Sequence, residues 1–164
     1  MRCGECGYDY DELDRADVAL RIRAFGPRYA ALLDRDQTVL RTKPGPDVWS
    51  PLEYGCHIRD VFRAQRERIA LALEQDGPLF TSIHRDERAV EDRYNEQNPS
   101  VVRREVTGAA DDLASAFEAL DDAGWACTGV YTYPTQEVRT IEWVGLHTVH
   151  EGEHHLLDIE RQLS

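Results

Sequence analysis

The segment opened by Ser50-Pro51-Leu52-Glu53 constrains this chain more than any other. Ser50 is placed as an N-cap, Pro51 suits the first helical position, and Glu53 can reach back to the cap backbone. From there to about Gln75, Tyr54, Ile58, Val61, Phe62, Ile69 and Ala72 recur at helical spacing. Glu53, Arg59, Asp60, Arg63, Arg66, Glu67 and Glu74 lie opposite, and Asp76-Gly77-Pro78 ends the run. A helix this long and apolar on one side draws its stability from packing against other helices.

Three further segments supply partners. Val18, Ile22, Phe25, Tyr29 and Leu32 predict a helix over about Leu13 to Asp34. Gly26-Pro27 is expected to kink or split it, because Pro27 has no backbone donor. Asn98-Pro99 opens a third helix to about Asp122, with Val102, Val106, Leu113, Phe117 and Leu120 inward and Gly124 as its stop. Residues 79–97 read as a polar loop and 125–134 as extended. Thr135 is expected to cap a last helix running to about Gln162, with Glu137 in its first turn. The expected fold is therefore all-α: a four-helix bundle over residues 13–164, preceded by an irregular cysteine-containing leader over residues 1–12.

At 164 residues the chain suits one domain. Lys and Arg total 19 against 31 Asp and Glu, a formal charge of −12. That balance repels phosphate backbones and anionic bilayers, which argues against nucleic-acid and membrane partners and leaves a small-molecule substrate. Residues Met1 to Tyr10 hold no apolar signal-like stretch, and four cysteines without one suggest a reducing compartment, the cytoplasm.

The chemistry concentrates in His147-Thr148-Val149-His150-Glu151-Gly152-Glu153-His154-His155-Leu156-Leu157-Asp158. At about 100° per residue, His150 and His154 share one face with His147 beside them, and His155 turns about 140° from His150. Trp143, Leu146 and Leu157 share that face, so it is expected to point at the core and His155 to be peripheral. His57, at the margin of the second helix's apolar face, can meet the pair if the second and fourth helices pack together. Three neutral imidazoles would suit Zn²⁺, Ni²⁺ or Fe²⁺ with a position left open. Hydrogen-bonded core histidines are the competing reading. Asp158 could orient a ligand imidazole, and Glu151, at the edge of the site, could accept a proton; both could equally be solvated.

The stretch Trp49-Ser50-Pro51-Leu52-Glu53-Tyr54-Gly55-Cys56-His57-Ile58-Arg59-Asp60-Val61, with His150-Glu151-Gly152-Glu153-His154-His155-Leu156-Leu157-Asp158-Ile159 downstream, resembles the DinB-like (DinB/YfiT) superfamily, most closely its short actinobacterial members. The resemblance covers about residues 13–162. It implies a four-helix bundle, often a homodimer, with a divalent metal held by one histidine of the second helix and an H-x3-H pair of the fourth. Carried over by position, those ligands are His57, His150 and His154. Some members are thiol-dependent S-transferases or isomerases that use mycothiol or a similar cosubstrate, and many have no assigned activity; a metal-activated thiol is therefore one expected nucleophile, and metal-activated water, for a hydrolase, is the other.

Cys3-Gly4-Glu5-Cys6-Gly7 resembles half of a zinc ribbon without its second half. A zinc site completed by other residues, a redox pair, a vestige and a loose leader all remain open. Cys56 should point about 100° away from His57, and Cys127 could approach the Cys3–Cys6 pair. The chain is thus expected to be a metal-activated enzyme or a non-catalytic metal-binding module.

Overall fold

A computed structural model describes residues 1–132 and 135–164. Helix α1 (Arg15–Leu32) is capped by Asp14, and a short α2 (Gln37–Arg41) follows. Helix α3 (Pro51–Glu74) starts with the expected capping box complete: Glu53 N donates to Ser50 Oγ at 3.2 Å and Ser50 N to Glu53 Oε2 at 2.8 Å. Strand β1 (Leu79–Phe80), helix α4 (Arg85–Glu91) and a 3₁₀ turn (Tyr94–Glu96) lead to α5 (Pro99–Glu118), capped by Asn98. Helix α6 (Asp122–Ala126), strands β2 (Thr128–Tyr131) and β3 (Glu137–Thr140), and helix α7 (Ile141–Leu163) complete the chain.

Around the bundle, α1 packs on α5, α5 on α3, α3 on α7 and α7 on α1. Two of the three consecutive pairs, α1 with α3 and α5 with α7, therefore lie across the diagonals, whereas α3 and α5 are neighbours. Val18, Ile22 and Phe25 of α1 meet Ile58 and Phe62 of α3, Leu113 and Phe117 of α5, and Val144 and Val149 of α7 in one core. This arrangement makes α3 and α7 neighbours, as a site shared between them requires.

Several boundaries depart from the sequence reading. Helix α1 runs unbroken through Pro27. At Gly26 an added Cβ would sit 3.2 Å from Thr107 Cα, and Thr107 Oγ1 donates to Gly26 O at 3.3 Å, so α1 packs closely on α5 beside the proline. Gly124 lies inside α6 instead of ending α5, and Thr140, not Thr135, caps α7 through Trp143 N. Between them lies a small sheet of order β1-β2-β3, parallel then antiparallel, with Leu79 opposite Val130 and Thr128 opposite Thr140. The Phe80 ring occupies the space a Cβ on Gly129 would need. Tyr133 and Pro134, part of the stretch expected to be extended, lie outside the described residues.

Arg59 and Asp60, read from sequence as facing solvent, are buried, because the segment between β1 and α5 folds over them. Arg59 Nε donates to Asp60 Oδ1 at 2.9 Å, Tyr94 Oη to Asp60 Oδ2 at 2.6 Å, and Arg59 Nη1 to Glu105 Oε2 at 2.7 Å. Burial pushes the Asp60 carboxyl up, but the Arg59 and Tyr94 hydrogen bonds outweigh it and hold it below its ordinary range. A depressed folded-state pKa gives stabilisation that is complete above the unfolded value, about 4, and is lost as pH falls through the folded one. Asp60→Asn should therefore cost about 2–3 kcal/mol at pH 7, the low end for a broken buried pair because Arg59 keeps Glu105. The deficit should shrink below about pH 4, as urea unfolding of both proteins at two pH values will read.

Candidate metal centre

Helix α7 buries Ile141, Val144, Gly145, Thr148, Val149, Gly152, His155, Leu156 and Ile159. That stripe is rotated about one residue from the face expected, which contains Trp143, Leu146, His150 and His154. The difference has a cause: the leader covers the expected face. Its ends pair through Arg2 and Asp9, and Tyr8 Oη donates to Leu146 O at 2.9 Å. Tyr10 Oη lies 2.9 Å from Nδ1 of both His147 and His150.

The expected ligands His57, His150 and His154 consequently share no single group: donors cluster in four overlapping sets among the described residues, and two of these sets divide the three histidines. In the first, His57 of α3 meets Glu151 and His155 of α7, with one donor atom from each within 4.8 Å of the others. The His57 and His155 rings are 5.0 Å apart between centroids. His155, expected to be peripheral, is buried, and Glu151 belongs to the group itself instead of standing at its edge. In the second, His150 and His154 meet Cys3 and Cys6. Cys56 is buried on the far side, donating toward Tyr94 O at 3.7 Å, and Cys127 joins neither group.

The first group has the donor chemistry of a divalent-cation site. Asp158 lies 3.0 Å from His155 Nδ1, and a carboxylate only accepts, so His155 donates there and turns Nε2 toward Glu151 Oε2, 3.6 Å away. This is the carboxylate–histidine support that metal ligands commonly have; Asp158 gives it most closely to His155, at 3.0 Å, while the expected partner His154 lies 3.8 Å away. Burial, and then the neighbouring His155, pushes His57 down to about 3, so it is a neutral imidazole whose buried Nδ1 has no hydrogen-bond partner among the described residues. Burial opposes charge on His155, but Asp158 and Glu151 outweigh it and raise it to about 9. Burial also raises Glu151, and the hydrogen bond and charge of His155 hold it well below the carboxylate range. A divalent cation can replace the Nε2 proton between these groups and fill the orphaned acceptor of His57.

His57 and Glu151 line one wall of a cleft of about 560 Å³, shared with Gln65, Arg68, Tyr131 and His147. Arg68 is buried, donating to Tyr131 Oη at 2.7 Å and Thr81 O at 2.7 Å, with no carboxylate within ion-pair range among the described residues. Burial keeps His147 below the usual imidazole range, and its ring stacks on Trp143 with centroids 4.6 Å apart. The sequence reading missed Arg68 and Gln65, although His57, Val61, Gln65 and Arg68 recur at steps of four, four and three along one face of α3.

The second group is organised around the leader. Backbone amides of Cys6 and then Glu5 face the Cys3 sulfur and bring that thiol down to about 7. Cys3 Sγ lies 3.9 Å from His154 Nδ1. All four cysteines of the chain are free.

A bundle with a polar, ligand-rich seam between α3 and α7 defines a class of small metal-binding helical proteins. Residues 8–159 match the model of the DinB superfamily, and the chain belongs to that superfamily. No curated protein matches it in sequence. In fold it is similar to YfiT from Bacillus subtilis, described as a probable metal-dependent hydrolase with an unusual four-helix bundle topology, at 15% identity and a TM-score of 0.79, over 91% of this chain and 87% of YfiT. It is also similar to the mycothiol-dependent maleylpyruvate isomerase, at 13% identity and a TM-score of 0.73, over 93% of this chain but 63% of the isomerase. No helix among the described residues is long and apolar enough to cross a membrane.

The rotation that separates the two groups depends on Gly152. A Cβ there would lie 2.4 Å from the Phe25 ring, and Tyr29 Oη donates to Gly152 O at 2.7 Å. Gly152→Ala should cost about 1–3 kcal/mol through overpacking, measured by thermal or urea unfolding, despite alanine's better helix propensity. An unchanged or raised stability would show that α7 can turn freely at this point.

Proposed function

We propose that the chain is a metal-dependent enzyme acting on a small anionic substrate, with His57, Glu151 and His155 as the ligands of its reactive ion. The observation that carries this reading is the convergence of two histidines and one carboxylate, supported by Asp158, at the wall of a cleft that also holds a buried arginine without a carboxylate partner. Three protein ligands leave coordination positions free, the pattern of catalytic and not structural zinc. Two histidines and a carboxylate suit zinc, and also ferrous iron or nickel. When bound, the ion supplies Lewis acidity, which lowers the pKa of a thiol or water it holds.

The surrounding residues divide the remaining work. Arg68, fixed by Tyr131, Gln65 and Thr81, presents a positive guanidinium to a carboxylate or similar group entering the cleft. His147 lines the cleft and burial keeps it a neutral imidazole, so it can hydrogen-bond a substrate group there. The nucleophile is a low-molecular-weight thiol of the mycothiol type or water; a structural relative is mycothiol-dependent and another is described as a hydrolase. Free cysteines suit a reducing, cytoplasmic setting.

Metal analysis of tag-free protein, followed by activity panels for thiol transfer, isomerisation and hydrolysis of carboxylate-bearing compounds, tests the proposal. His57→Ala and Glu151→Gln should each remove about one ion per chain and abolish turnover. Arg68→Met should raise KM for an anionic substrate about 10–100-fold with a smaller change in kcat, the loss of one charge-assisted contact. Full metal content in His57→Ala, or equal activity with and without metal, would overturn the assignment.

A further inference from the structure

We propose that Cys3, Cys6, His150 and His154 form a second, closed zinc site that staples the leader to α7. The four residues come from the two ends of the chain and each offers one donor atom within 4.8 Å of the others. Zinc bonds of about 2.3 Å to sulfur and 2.0–2.1 Å to nitrogen place S and N about 3.6 Å apart along a tetrahedral edge. The Cys3 Sγ to His154 Nδ1 separation of 3.9 Å is within a few tenths of that edge before any ion draws the ligands in.

The local backbone is built for two thiolates. Gly7 adopts φ 75°, a left-handed conformation that glycine takes without penalty. Cys3 N donates to Tyr8 O at 2.8 Å and Gly7 N to Cys3 O at 3.0 Å, closing a tight turn around the pair. The turn is also tied to α7, where Arg161 Nη2 donates to Glu5 O at 3.2 Å.

The histidines are oriented independently of the cysteines. Tyr10 engages His150 at Nδ1, which leaves Nε2 as the available donor, and that atom is buried with no hydrogen-bond partner among the described residues. On His154, Glu5 Oε2 lies 3.3 Å and Asp158 Oδ2 3.8 Å from Nε2, so carboxylates engage one nitrogen while the other faces Cys3. A buried, unpartnered imidazole nitrogen beside two thiols is costly unless a cation fills the space.

Two cysteines and two histidines occupy every position of a tetrahedral zinc ion, so this site has no place for substrate and its role is structural. It sits back to back with the proposed reactive centre, since His150 and Glu151 are consecutive on α7. The leader it would hold contributes Met1 and Tyr10 to the cleft wall.

The test uses full-length, tag-free protein kept reduced, loaded with zinc or with Co²⁺ as a spectroscopic probe. The wild type should show the thiolate-to-cobalt charge-transfer bands and strong visible absorption of a tetrahedral ion. Cys3→Ser/Cys6→Ser should lose these bands and about one ion per chain. Cys127→Ser should keep both, and His57→Ala should lose the other ion while keeping the bands, which separates this proposal from the assignment of the reactive centre. Should the double variant fold poorly, zinc-edge X-ray absorption of His57→Ala protein reads the first shell directly, with two sulfur and two nitrogen neighbours expected. An unchanged metal content and spectrum in the double variant, a first shell without sulfur, or no thiolate-bound ion in reduced wild type would overturn the proposal.

Discussion

The rotation of α7 about its axis decides what each of its polar residues can do. Phe25 of α1 lies where a side chain on position 152 would be, and Tyr29 bonds the carbonyl of Gly152, so this helix meets α1 through bare backbone. With that contact set, Val144, Thr148, Val149, His155 and Leu156 face the core, and His147, His150 and His154 turn toward the leader. One step of about 100° thus divides a cluster of four histidines between two environments. Moving the buried stripe by one residue would put His154 where His155 is and leave Asp158 without its present partner.

The interior group shows how a low-dielectric setting can hold several ionisable residues at once. Neutral His57 places no charge in the core, whereas His155 is flanked by Asp158 and Glu151, so its positive form has two partners. Each charge here is opposed by burial and retained only through a specific neighbour. The same logic governs Arg59 and Asp60 on another side of α3, but that pair is already satisfied by Tyr94, Gln97 and Glu105. Arg68 differs from Arg59 in having no carboxylate partner among the described residues: it bonds a hydroxyl, an amide and a carbonyl and lies over the Tyr131 ring at 4.7 Å.

Much of the architecture was legible because it rests on local rules. Ser50, Pro51 and Glu53 announce the start of α3, Asn98-Pro99 that of α5, and the three–four spacing of apolar residues marks all four long helices. Of the small sheet only β2 was legible, inside the stretch 125–134 read as extended; β1 has two residues, and its pairing with β2 spans about fifty positions of sequence. The face of α7 that turns to the core was misjudged for a related reason. The segment 147–158 contains several pairs of possible ligands at i, i+4 spacing, His150 with His154 and Glu151 with His155 among them, and periodicity alone cannot rank these two when a remote leader supplies apolar cover for one. Tyr8 and Tyr10 were the available signal, two aromatic residues beside the cysteines that a solvated leader would have no reason to carry.

The two groups differ in completeness, and that difference bears on how they could be related. The cysteine–histidine group has four donors and draws two of them from a segment outside the long helices; the His57 group has three and borders open volume. A closed site tolerates no movement of its ligands, so whatever it holds becomes part of the scaffold. Because Tyr10 contacts both His147 and His150, that rigidity would pass directly to an imidazole on the cleft wall. The phenol has one proton to give and two lone pairs, so at least one of these rings must donate through Nδ1 and keep Nε2 as its acceptor. Occupying Nε2 of His150 with a metal requires that Nδ1 be the donor, which frees the Tyr10 proton for His147. A metal in the closed group would thereby favour one tautomer of the cleft histidine, a coupling carried by a single hydroxyl.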